Sequence, residues 1–92
     1  MIIDITEAVI AGGSQYMIDL TNWLTDNVGA YYGACTLNYN HEPGREINPI
    51  HTGAGWQIQA VVDVDYHGDI LISYQTDITD EKMATFFILK YT

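Results

Sequence analysis

Trp56-Gln57-Ile58-Gln59-Ala60-Val61-Val62-Asp63-Val64-Asp65-Tyr66 alternates apolar and polar side chains along its length. A period of two marks a β-strand with one face on a core. Trp56, Ile58, Ala60, Val62, Val64 and Tyr66 fall on one side, with Gln57, Gln59, Val61, Asp63 and Asp65 on the other. The strand thus sets a requirement for the rest of the chain, because an apolar layer has to cover the Trp56 side.

Downstream, His67, Gly68 and Asp69 form a hairpin loop, and Ile70 to Gln75 is the partner strand. Register follows from pattern, since a slip by one residue exchanges the two faces. A two-residue loop would set Asp65 opposite Ile70 and Asp63 opposite Ile72. A three-residue loop pairs Tyr66 with Ile70, Val64 with Ile72 and Val62 with Tyr74, leaving Asp63 opposite Ser73, and this is the expected register.

The covering layer is sought upstream. Asp4 and Glu7 have capping-box spacing, and Ile5, Val9, Met17, Leu20, Leu24 and Val28 follow, which predicts a helix over 4–28 ended by Gly29. Gly12-Gly13 costs roughly 1 kcal/mol per glycine in a helix interior. A kink there, with Ser14 opening a second segment over 15–28, is the expected response. Tyr16, Leu20, Trp23 and Leu24 then present the stripe that covers the sheet. Alternation resumes over 31–39 as another strand, and Met83 to Tyr91 reads as a last strand with apolar residues on both faces, after a polar turn from Thr76 to Lys82. Such a strand is either central in the sheet or part of a dimer interface. The expected fold is α+β: an N-terminal helix, broken at Gly12-Gly13 or not, packed on an antiparallel sheet of about four strands, all in one domain over 1–92.

Composition agrees with one compact domain. Of 92 residues 48% are hydrophobic and 16% charged, so the chain buries enough surface to offset its ordering entropy. The charges are unequal: 12 acidic residues face Arg45, Lys82 and Lys90, for a net charge of −9. That sign argues against direct contact with nucleic acid or anionic lipid, both of which select lysine and arginine. It favours a basic protein partner, including the grooves other proteins use for nucleic acid. No apolar run approaches the ~18 residues of a membrane span. Cys35 is the one cysteine, which excludes an intramolecular disulfide. No basic segment leading into an apolar run opens the sequence, so the expected compartment is cytoplasmic, or the host cytoplasm for a viral protein.

Chemistry-bearing residues are sparse. The 40–55 segment holds both prolines, Arg45 and two of the three histidines, and long connections of this kind are often functional. It reads as a recognition loop with Ile47 and Ile50 as anchors and Arg45 as a specific contact, or as a solvated crossover. His41, Glu42 and His51 are ligand types for zinc or iron but match no ligand spacing. Asp63 to Asp69 imitates part of a calcium loop and then departs from it, with Tyr74 where a bidentate glutamate is needed. Cys35, mid-strand in a chain with only three lysines and arginines, reads as a small buried residue rather than a nucleophile. The expectation is therefore no enzyme, no cofactor and no metal.

The acidic residues carry the functional reading. Asp63 and Asp65 lie on one strand face about 7 Å apart at a rise of ~3.4 Å per residue, Asp69 extends them, and Asp77, Asp80 and Glu81 crowd the opposite end of the hairpin. Seven tyrosines, Tyr39 among those expected to be exposed, supply side chains enriched at binding hot spots. In overall make-up, small, acidic, aromatic and without an evident active site, the chain resembles phage-encoded host-takeover or anti-defence proteins such as anti-CRISPRs. Bacterial immunity proteins and antitoxins share that profile. The resemblance implies a DNA-mimic-like inhibitor of a basic or nucleic-acid-binding protein; the alternatives are a self-associating homodimer or assembly subunit and a small metal- or Cys35-dependent enzyme.

Overall fold

A computed structural model describes residues 1–35 and 43–91. In chain order the elements are β1 (Ile2–Asp4), α1 (Thr6–Asn27), β2 (Tyr31–Ala34), β3 (Gly44–Gly53), β4 (Trp56–Val64), β5 (Ile70–Ile78) and α2 (Glu81–Tyr91). The strands form one antiparallel sheet in the order β1-β5-β4-β3-β2. This is the α+β fold expected, with a fifth strand and a second helix. Strands β2 to β5 run as a meander, while β1 pairs with β5 and α1 carries the chain across to the opposite edge.

Both helices lie on the Trp56 side of the sheet. Leu20 and Leu24 of α1 and Ala84 and Phe87 of α2 are fully buried against Trp56, Ile58 and Ile78, and Ile3 and Ile5 close the core from the β1 edge. Burial at the helical spacing of Leu20 and Leu24 is what the apolar stripe of α1 required. Gly13, at φ 58° and ψ −142°, divides α1 into two segments. A residue with a side chain adopts that geometry only under strain, so glycine here is what lets the helix bend. The helix starts one residue later than a cap at Asp4 implies: Ile5 is the N-cap, and Asp4 accepts a hydrogen bond from the Thr6 N–H at 2.8 Å. At its far end the N–H groups of Val28 and Gly29 both return to the Leu24 carbonyl.

Residues 40–55 are for the most part not a loop. From Gly44 to Gly53 they form β3, paired with β4 along its whole length, and a two-residue Ala54-Gly55 turn joins the two strands. Pro49 removes a backbone donor, and the register shifts between Pro49 and His51, an irregularity of the kind at which a sheet accommodates proline. Trp56 seals this end of the core. Its indole N–H donates to the Gly29 carbonyl at 2.8 Å, and a Cβ at Gly53 would overlap the ring. The upstream strand is described as Tyr31–Ala34, and the remainder of the expected 31–39 strand lies outside the described residues after Cys35.

The β4–β5 hairpin keeps the expected faces but not the expected register. Val64 pairs with Ile70, Val62 with Ile72 and Ala60 with Tyr74, so Asp63 faces Leu71 rather than Ser73. The cause is Asp65, whose carboxylate accepts hydrogen bonds from the N–H groups of His67 (2.8 Å) and Asp69 (2.9 Å). An aspartate that satisfies turn donors belongs to the turn, which lengthens the loop to residues 65–69 and moves the register by two. Tyr66, expected on the core side, is 94% exposed at the turn.

The expected last strand is a helix. Asp80 accepts hydrogen bonds from the N–H groups of Lys82 (2.9 Å) and Met83 (3.2 Å), as an N-cap does. Glu81 in the first turn and Lys90 in the last complement the helix dipole. What resembled two apolar strand faces is one helix with Ala84 and Phe87 inward and Phe86 and Leu89 outward. The rings of Phe87, Trp23 and Tyr91 pack together with centroids 5.0–6.0 Å apart.

Candidate binding face

With both helices on one side, no described helix lies on the other side of the sheet. Pairing fixes what that face presents, row by row: Arg45, Asp63 and Leu71; Ile47, Val61 and Ser73; Pro49, Gln59, Gln75 and Asp4; Thr52, Gln57, Asp77 and Ile2. At its centre the fully buried Val61 adjoins an ordered row of amides. Gln57 donates to the Gln59 side-chain oxygen at 2.9 Å, and Gln59 donates to that of Gln75 at 3.0 Å. Gln59 is only 4% exposed, so this chain holds an amide flat against the sheet.

The margins are apolar and acidic. Ile2 (57%), Ile47 (53%) and Leu71 (69%) stand out from the sheet. Asp63 and Asp77 sit at opposite ends, six positions apart in the strand-pair register and therefore about 20 Å apart at a rise of ~3.4 Å. The amino group of Met1 approaches Asp77 at 3.6 Å. Asp4 is held below the usual carboxylate range, chiefly by the backbone N–H of Thr6 and further by its hydroxyl.

Of the residues singled out from sequence, Asp63, Asp77, Arg45 and Ile47 come together on this face, although they derive from three different strands. Asp65 and Asp69 belong to the turn beyond its end and join Asp63 in lining a groove of about 320 Å³. Asp80 and Glu81 lie at the start of α2. Ile50 is half-buried at the β3 irregularity, where its carbonyl accepts the Cys35 N–H at 2.7 Å. Tyr39, His41 and Glu42 lie outside the described residues. Cys35 is exposed, contrary to the buried role expected of it; it directly follows β2, an edge strand of the sheet. Among the described residues no three His, Cys, Asp or Glu side chains gather as a metal site, and no helix is long and apolar enough to cross a membrane.

Two features escaped the sequence reading. Asp4 carried a signal only for a helix start, and its place on the face comes from a strand three residues long. The Tyr31 hydroxyl and His51 Nδ1 meet at 2.8 Å beside a groove of about 360 Å³ lined by Met17, Ile18 and Thr21. Burial pushes the His51 imidazole down from its ordinary value of 6.5. Their pairing depends on β3, which the composition of 40–55 concealed. No family model, curated protein or solved structure matches this chain.

Proposed function

We propose that this protein is a non-enzymatic binding module that lays the helix-free face of its sheet against a basic protein surface, and that it acts as an inhibitor by occupying that surface. The observation that supports the reading is the convergence of Asp4, Asp63 and Asp77 with Ile2, Ile47 and Leu71 around an ordered glutamine centre. Apolar margins supply desolvated contact area, the half-buried amides of Gln57 and Gln75, fixed by the buried Gln59, supply directional hydrogen bonds, and carboxylates about 20 Å apart select positive charge at both ends. A surface built to hold nucleic acid has that complementary charge, which makes a DNA-binding or RNA-binding protein the favoured partner class. The net charge of −9 speeds such an encounter.

The test begins with capture from native host lysate at low salt, followed by association kinetics with the captured protein. In Asp63→Asn/Asp77→Asn the association rate is expected to fall by about tenfold and its salt dependence to flatten, since peripheral charges act mainly on encounter. Circular dichroism is expected to stay unchanged. Wild-type kinetics in the double variant would exclude this face.

A further inference from the structure

β5 is nine residues long, and β1 covers only part of its outer edge. Pairing with β1 runs over Gln75, Thr76 and Asp77. One step further, the Ile5 N–H bonds to the Tyr74 carbonyl at 2.9 Å, and the Thr6 hydroxyl accepts the Tyr74 N–H at 2.9 Å. The chain then turns away into α1. From Ile70 to Ser73 the edge has no neighbouring strand among the described residues.

The direction of the backbone groups on that stretch follows from the ladder. Along an antiparallel strand alternate residues point N–H and C=O to the same side. Tyr74 and Ile78 bond towards β1, so Ile72 presents both its N–H and its C=O outward. Exposed edges of this kind are usually blunted by lysine, proline or a bulge. Ile70-Leu71-Ile72-Ser73 contains neither residue, and its pairing with β4 is regular.

Beside the edge lies a cleft of about 670 Å³ between the start of α1 and the end of α2. Its wall is aromatic, from Tyr16 and Tyr91, whose rings meet edge-to-face at 5.8 Å, backed by the fully buried Phe87 stacked on Tyr91. The Tyr16 hydroxyl is buried with no partner among the described residues. Glu7, exposed, lines the cleft at the α1 end, and Asp4 borders it only from the edge of the sheet, its carboxylate engaged by the Thr6 N–H. An aromatic wall beside the Glu7 carboxylate suits the aliphatic stem and terminal cation of a lysine or arginine.

We propose that the uncovered edge of β5 is a strand-addition site, where an extended, lysine- or arginine-bearing segment of a partner protein pairs with Ile72 and sets a basic side chain in the neighbouring cleft. Main-chain bonds would supply affinity and the cleft would select the side chain, as in other strand-addition complexes. The inference rests on the reading of the protein as a module for basic partners, but it uses the edge of the sheet rather than the face.

The probe is an acetylated, amidated octapeptide of alternating lysine and valine, compared with the same peptide N-methylated at every backbone amide. Both carry the same charge, and only the first can donate to a strand edge. The plain peptide is expected to slow hydrogen exchange at the Ile72 amide and to bind about tenfold more tightly than the methylated one, the scale of two lost hydrogen bonds. Glu7→Gln is expected to weaken it, and Asp63→Asn/Asp77→Asn to leave the Ile72 protection in place, which separates this site from the face. Equal binding of the two peptides, or amide shifts confined to Gln57, Gln59 and Gln75, would overturn the proposal. So would Ile72 protection that rises with protein concentration in the absence of peptide, because a second copy would then be the occupant.

Discussion

Phe87→Ala tests the assignment of the C-terminal segment through its energetics. Phe87 is fully buried and packs on Trp23 and Tyr91, and truncating such a ring costs about 3–5 kcal/mol in transfer and cavity terms. A domain of this size has roughly 5–14 kcal/mol in total, at ~0.05–0.15 kcal/mol per residue. The variant should therefore melt ~12 °C or more below the parent, given ~4–8 °C per kcal/mol for small domains. Phe86, at 48% exposure, and Leu89, at 77%, face outward. Their alanine variants should stay within about 0.5 kcal/mol of the parent. On a strand, Phe87 and Leu89 would share a face and suffer together, whereas on a helix they do not. Urea unfolding of the three variants gives the comparison, with Phe87→Leu, expected to cost ~1–1.5 kcal/mol, in reserve should the alanine variant fail to fold. A Leu89→Ala loss equal to that of Phe87→Ala would refute the helix.

Two other predictions concern α1 and β3. Gly13→Ala should destabilise by about 1–3 kcal/mol because the residue has to hold a glycine-type backbone conformation; a stabilisation near ~1 kcal/mol, as for glycine replaced inside a straight helix, would show that the kink is absent. His51 is held below 6.5 by burial, so the folded protein resists a proton that the unfolded chain accepts. Its contribution to stability is complete above pH 6.5 and is lost as the pH falls below that value. Titration of the His51 ring resonances should give a midpoint under 6.5, and His51→Gln should flatten the fall in urea midpoint between pH 7 and 5. A midpoint at or above 6.5 would contradict the burial.

The sequence made β4 legible because one of its faces meets the helices and the other does not, so alternation survives in the residues. It made α1 and its kink legible for the same reason, through Leu20, Leu24 and the Gly12-Gly13 pair. Phe86 to Leu89 is apolar at every position and satisfies a period of two as well as one of 3.6. The deciding signal was the cap, Asp80 followed by Glu81 with Lys90 near the end, which reads equally as a polar turn. Pro49 and the surrounding glycines hid β3, since proline in a strand is tolerated only where the ladder is irregular or at an edge. Asp65 shifted the hairpin register because a turn aspartate and a strand aspartate look alike until their backbone partners are known. The candidate site was legible as a list of residues and not as a place. Asp63 and Ile47 could be named from sequence, but only the hidden strand β3 puts them on one face.

The position of β1 affects how the protein is made. Ile2 pairs with Asp77 and Ile3 with Thr76, so the β1 segment is translated about 75 residues ahead of the strand it pairs with. At ~5–20 residues per second, that interval is on the order of several seconds. Throughout it Ile3 and Ile5, buried in the finished core, have no sheet to enter, and α1 has no surface on which to lay Leu20 and Leu24 until β4 is complete. The meander thus closes on a segment that has waited, and a chain stalled before residue 75 would display those isoleucines to any chaperone or aggregate within reach.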